Sequence, residues 1–202
     1  MLYYIMNKPA GCITAVRDEK YRTVMYYVPE ELRGKLHPVG RLDADTTGLL
    51  ILTDDGRLDT ALLDPVHHLE KTYRIYAFGD PYAGGIERLE SSVCIGKHHT
   101  LPARVENIQT FEVKDMELLM PSKRRERYMK NPHGKAFSCD LIITEGKKHQ
   151  VKLMMKAIGC TVCRLIRTKF GELTIDGIAE GEIREMTDEE REYILDRVRA
   201  AE

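Results

Sequence analysis

No apolar run in this 202-residue chain approaches the roughly 18 residues that a membrane-spanning helix needs. The opening, Met1 through Pro9, has no basic segment followed by a long apolar stretch, so neither a secretory leader nor a membrane anchor is expected. Cysteine is scarce and odd in number, five without framework spacing, which argues against a disulfide scaffold and suits a reducing, cytoplasmic setting. Positive charge is not in excess either, the net being −1, so the total does not announce a polyanion binder. Cofactor signatures are missing as well. There is no P-loop, and Gly84-Gly85 lacks the other glycines of a dinucleotide fingerprint. The pairs His67-His68 and His98-His99 do not have the H-E-x-x-H spacing of a zinc helix. Cys160 and Cys163 fall in an expected strand, where side chains at i and i+3 point to opposite faces. A protein without metal or cofactor is expected.

What is present reads as an ordinary globular chain, 43% apolar and 31% charged. Its length suits one domain, or two small lobes sharing a cleft, with lobes at about 1–70 and 71–202. Charge is unevenly placed. Residues 120–136 carry six Lys/Arg against one Glu, and residues 145–170 seven against one, whereas residues 172–202 carry four Arg against eleven acids. Such segregation can present a basic face to a polyanion, although solvated loops and helix faces produce the same pattern.

Asn7-Lys8-Pro9-Ala10-Gly11 reads as a turn between a short opening strand and a second extended piece at Cys12–Val16. Leu49–Thr53 is a continuous apolar run too short for an independent helix, hence a buried strand, followed by a helix with Leu58, Ala61 and Leu62 on one face. Lys71–Phe78 alternates, with Tyr73, Ile75 and Ala77 on one face. Strands are expected at Ala136–Thr144, Cys160–Ile166 and Glu172–Ile175. In Lys147–Gly159 the apolar residues Val151, Met154, Met155 and Ile158 recur at helical spacing, opposite a stripe of Lys148, Lys152 and Lys156. Residues 121–135 have neither period and read as an exposed basic loop. The last helix opens at Thr187-Asp188-Glu189-Glu190 with capping-box spacing. Strands outnumber helices without regular alternation, which implies an α+β fold: a mixed, largely antiparallel sheet with flanking helices.

The densest chemistry lies in Gly40-Arg41-Leu42-Asp43-Ala44-Asp45-Thr46-Thr47-Gly48. A Gly-bounded turn at the mouth of a buried strand can hold an acid in a cleft, which makes Asp43 the candidate catalyst; a turn-capping role is the alternative. That capping role is preferred for Asp45. Arg41 either keeps Asp43 ionised or grips a substrate phosphate, and Lys152 offers the same choice. Tyr73 is either a half-buried strand tyrosine or a platform for an extruded base.

Four stretches together resemble the pseudouridine synthases of the ribosomal small-subunit type. These are Met6–Gly11; His37-Pro38-Val39-Gly40-Arg41-Leu42-Asp43 with Asp45-Thr46-Thr47-Gly48-Leu49; His67-His68-Leu69-Glu70-Lys71-Thr72-Tyr73; and Glu145-Gly146-Lys147-Lys148-His149-Gln150-Val151-Lys152. Gly181–Thr187 is similar to the family's closing segment less specifically. The resemblance implies the pseudouridine synthase fold and isomerisation of uridine without metal or cofactor. It implies Asp43 as nucleophile, Tyr73 stacked on the target base, and Lys152 paired electrostatically with Asp43. Arg41, Lys148, His149, Gln150 and Lys156 become candidates for RNA binding, as do Lys123, Arg124, Arg125 and Arg127 of the basic loop.

Two departures from the family pattern stand out. The resemblance starts with the catalytic domain at Met6, so the small N-terminal RNA-binding domain of the S4 type that many relatives carry is not expected, and Leu153 stands where relatives often have a basic residue. The segments at 67–68 and 149–152 look like the small-subunit branch and favour 16S rRNA; the missing S4 domain keeps a 23S enzyme in view. A monomer acting on ribosomal RNA or a ribosome assembly intermediate is expected. Two other classes stay open: an RNA-binding module that has lost catalysis, and a glycosidase or nucleoside hydrolase. The second would need another carboxylate about 5–9.5 Å away across the cleft.

Overall fold

The computed structural model describes residues 1–63, 69–120 and 122–201, side chains of 122–124 and 201 excepted. The expected segment at His67-His68 lies outside the described residues. In chain order the elements are β1 (Tyr3–Lys8), α1 (Glu30–Arg33), β2 (His37–Val39), β3 (Thr47–Thr53), α2 (Arg57–Leu63), β4 (Lys71–Phe78), α3 (Ile86–Ser91), β5 (Cys94–Ile95), β6 (His98–His99), β7 (Arg104–Glu112), α4 (Ser122–Tyr128), β8 (Lys135–Ile143), α5 (Gln150–Ala157), β9 (Thr161–Phe170), β10 (Leu173–Thr174), β11 (Ile183–Glu185) and α6 (Asp188–Ala201). Strand pairing is mixed and mostly antiparallel, with flanking helices, as the sequence implies. Two compact units form: Met1–Lys71 with Ile166–Glu202, and Thr72–Leu165. Residues 166–202 group with the first unit instead of the second, because β11 pairs with β1 and α6 packs on α2.

In the first unit the strand order is β11-β1-β3-β9, with β2 on β3 and β10 on β9. All seven residues of β3 are buried, because both faces carry a core. Leu49 and Ile51 join Tyr3, Ile5, Leu58 and Leu62 on one side, while Leu50 and Leu52 join Met6, Val24 and Leu36 on the other. That two-sided burial is why the run shows no alternation. β3 pairs antiparallel with β1 from Thr53↔Tyr3 to Gly48↔Lys8, and parallel with β9 at Thr47↔Ile166 and Gly48↔Arg167. The expected extended piece at Cys12–Val16 is not a strand: Ile13 makes a single bridge to Thr23. The capping box of α6 forms, with Glu190 N–H donating to Thr187 Oγ1 (3.2 Å) and Thr187 N–H to Glu190 Oε2 (2.9 Å).

In the second unit the order is β9-β4-β8-β7. β4 alternates strictly, with Tyr73, Ile75 and Ala77 buried. On its other face Arg74 grips Asp140 of β8 through Nε (2.5 Å) and Nη2 (2.9 Å). The basic segment is not a loop: α4 covers Ser122–Tyr128. Tyr128 and Met129 join a core cluster with Val113 and Met116, and the Tyr128 ring lies 4.3 Å from that of Phe78. Tyr128 at the end of α4 and Met129 just after it supply the apolar contacts, and the charges before them hide any period.

Candidate active site

The turn carrying Asp43 is held from behind by a cation. Lys8 ends β1, and its side chain is wholly buried, at 0% exposure. Its Nζ donates to the carbonyls of Pro9 (3.0 Å), Asp43 (3.1 Å) and Thr46 (3.0 Å). Three acceptors use all three protons of an ammonium, so the geometry requires the charged form. Burial pushes the Lys8 pKa below the ordinary lysine range, and the charges of Cys12, Asp45, Asp43 and Glu180 oppose that shift. Further bonds fix the same turn. Thr46 N–H donates to Asp43 O (3.1 Å) and Gly11 N–H to Ala44 O (2.7 Å). The Thr14 hydroxyl accepts Leu42 N–H (3.1 Å) and donates to Leu42 O (2.9 Å). The backbone on each side of Asp43 is therefore over-determined, while its side chain is half-buried and Arg41 and Asp45 are exposed.

Gly48 sets the turn's exit. Its φ is 108°, and a Cβ there would lie 2.3 Å from the Arg167 carbonyl oxygen, so no other residue permits β9 to approach β3 this closely. Arg167 is itself buried, with Nε donating to Leu49 O at 2.8 Å. Its guanidinium lies 5.2 Å from the Phe170 ring centroid, and Lys71 Nζ lies 5.3 Å from the same centroid. Lys71 donates to Leu69 O (3.1 Å); burial, and then the charge of Arg167, lowers its pKa to about 8. The sequence motifs assign no role to Lys8, Lys71 or Arg167. Lys8 alone carries a signal, a lone cation ending an otherwise uncharged strand before a Pro/Gly turn; β4 also holds Arg74 and β9 also holds Arg164 and Lys169, so Lys71 and Arg167 do not stand out.

In the second unit, Tyr73 lies on the buried face of β4 at 8% exposure. Lys152 is half-buried on α5 and Lys156 exposed. Lys148 does not belong to the helical stripe, because α5 begins at Gln150 and His149 before it is left-handed (φ 54°). Gln150, expected to contact substrate, is buried at 3% exposure. Its Oε1 accepts Lys147 N–H (2.8 Å) and its Nε2 donates to Glu145 Oε1 (2.5 Å). It locks the turn that launches α5, which leaves Lys148 and His149 exposed beside it. Arg125 is half-buried and Arg127 exposed; the side chains of Lys123 and Arg124 lie outside the described residues. Asp43 thus belongs to the first unit, Tyr73 and Lys152 to the second.

Comparison with known proteins shows the family. Residues 2–157 match the model of the RNA pseudouridylate synthase family. A ribosomal small subunit pseudouridine synthase A of Haemophilus influenzae is 35% identical over 96% of this chain and 73% of its own length. An uncharacterized RNA pseudouridine synthase of Bacillus subtilis is 40% identical over 94% and 71%. A solved pseudouridylate synthase superposes with a TM-score of 0.76 at 32% identity, covering 96% of this chain and 73% of that one. An archaeal Nop10-Cbf5 complex shares the fold alone, at a TM-score of 0.53 and 16% identity. The chain belongs to the RNA pseudouridylate synthase family, a class of isomerases. Within it, the chain is similar to enzymes of the ribosomal small-subunit type.

Proposed function

We propose that this protein converts a specific uridine of ribosomal RNA to pseudouridine, 16S in preference to 23S, with Asp43 as nucleophile. The C1′–N1 bond breaks, the uracil turns, a C1′–C5 bond forms, and the proton lost from C5 is balanced by one gained at N1, so the product is an isomer. The observation that carries the reading is the buried Lys8 clamp on the Asp43 turn. An attacking carboxylate must be held in a narrow range of positions, and here its backbone is fixed by an ammonium, a hydroxyl and two backbone bonds.

Tyr73 stacks on the uracil once it has left the RNA stack, a step that costs a few kcal/mol. Lys152 supplies the counter-charge that keeps Asp43 ionised. Arg41, Lys148, His149 and Lys156 contact flanking phosphates, and the charge of Lys123, Arg124, Arg125 and Arg127 in the α4 segment adds RNA affinity. Four names among the relatives support the RNA class: the small-subunit enzymes of Haemophilus influenzae, Escherichia coli, Salmonella typhimurium and Yersinia pestis.

Unmodified 16S and 23S rRNA labelled with tritium at uridine C5 test the proposal. Release from 16S, mapped to one position, is expected. Release from 23S alone would reverse the substrate preference. Free uracil would make the protein a hydrolase, and binding without release would make it a non-catalytic module.

A further inference from the structure

Two long stretches of the chain are free of acid. No aspartate or glutamate occurs from Ser91 to Val105 or from Gly146 to Phe170. The structure joins them within the second unit. β5 and β6 form a small hairpin, with Cys94 opposite His99 and Ile95 opposite His98. Ile95 is buried, and β5 packs against α5. Thr100 closes the hairpin's base, its N–H donating to Val93 O (3.0 Å) and its Oγ1 accepting Val93 N–H (3.1 Å). Lys147 Nζ donates to the His99 carbonyl (3.2 Å), and Leu101 N–H donates to Glu145 Oε1 (3.0 Å). Glu145, the acid at this junction, is matched by Lys147 at 2.6 Å. Lys97, His98 and His99 are exposed on the hairpin, as are Lys147, Lys148, His149 and Lys156 on the adjoining segment.

We propose that the β5–β6 hairpin is a further grip on the RNA backbone. Lys97, with the imidazole donors of His98 and His99 beside it, holds a phosphate flanking the target uridine and extends the cationic surface of residues 147–156. The inference rests on RNA being the substrate. The observations favour a polyanion because the hairpin is anchored by Ile95 burial, Thr100 and the Lys147 and Glu145 side chains, which leaves the side chains of Lys97, His98 and His99 out of the bonds that hold it together. They favour the RNA substrate over another anion because the hairpin is tied directly to the turn that launches the Lys152 helix.

The test is affinity of the full chain for a 16S rRNA fragment, measured over a range of salt. The combined variant K97S/H98S/H99S should bind about tenfold more weakly, with a log Kd versus log salt slope lower by about one. Lys97→Arg should keep the wild-type slope. Unchanged affinity and slope in the combined variant, with wild-type protein releasing C5 tritium, would overturn the inference. No tritium release by wild-type protein from either rRNA would instead overturn the functional reading beneath it.

Discussion

Lys8 illustrates how a residue can shape a reaction centre from behind. Its ammonium joins the carbonyls of Pro9, Asp43 and Thr46 in the buried interior. Replacing it with methionine keeps the volume and removes one donor from each acceptor, although Asp43 O keeps Thr46 N–H and Pro9 O keeps the Cys12 thiol. A hydrogen bond from a charged group contributes about 1.5–3 kcal/mol, so Lys8→Met should lose at least ~2 kcal/mol in urea unfolding and show a sharp fall in turnover. An unfolding midpoint equal to wild type would show that the clamp is energetically idle. Asp43 was legible in the sequence because it stands in a glycine-bounded turn beside a strand. Lys8 was not, because Asn-Lys-Pro-Ala-Gly carries turn signals that also explain a solvated lysine. Gln150 shows the same limit: a polar residue beside Lys148, His149 and Lys152 suggests a substrate contact, and the structure places its amide on Glu145 and Lys147. Spacing reports where a side chain sits along the chain and is silent on which way a left-handed residue such as His149 turns it.

At the scale of elements, the periodic ones were read well. β3, α2, β4 and α6 all carry strong burial patterns. The capping box of α6 offers a clean check: Thr187→Ala removes one side of a reciprocal pair and should cost about 1 kcal/mol, visible as a lowered unfolding midpoint. The start of α2 supplies a pH test. The side chain of Asp55 is 2% exposed and meets Arg57 at 2.8 Å and Tyr3 Oη at 2.9 Å. The Arg57 hydrogen bond leads in lowering its pKa to about 2. A carboxyl with a depressed folded pKa contributes stability above its unfolded value, near 4, and loses it as pH falls through the folded one. About 2 kcal/mol should therefore fade between roughly pH 4 and pH 2, and Asp55→Asn should flatten that part of an acid-unfolding profile. An identical profile in the variant would assign the acid sensitivity elsewhere. β7 was missed because it is largely exposed, with a bulge between Glu106 and Gln109 and a left-handed Asn107; an edge strand wet on both faces leaves no alternation to read. α4 shows no period in the sequence because Tyr128, at its end, is its one aromatic or apolar residue in a charged run.

At the scale of the whole molecule, composition concealed what distribution revealed. A net charge of −1 argues for nothing, yet acids concentrate in the last 31 residues, from 172 to 202, while two acid-free stretches meet at the β5–β6 hairpin. The residues proposed for chemistry come from both compact units, Asp43 from one and Tyr73 and Lys152 from the other, and no sequence period links positions so far apart. Family resemblance alone proposes them as one set; within the first unit the fold adds Lys8, Lys71 and Arg167, to which the motifs assign no role. The central claim is that Asp43 attacks a flipped uridine. Its most direct test is single-turnover release of C5 tritium from 16S rRNA by wild-type protein and by Asp43→Asn, whose amide matches the carboxylate in size and lacks its charge. The account predicts release by wild type and a loss of at least about 10⁴-fold in the variant, with RNA binding retained. Release by Asp43→Asn at a rate near wild type would contradict it.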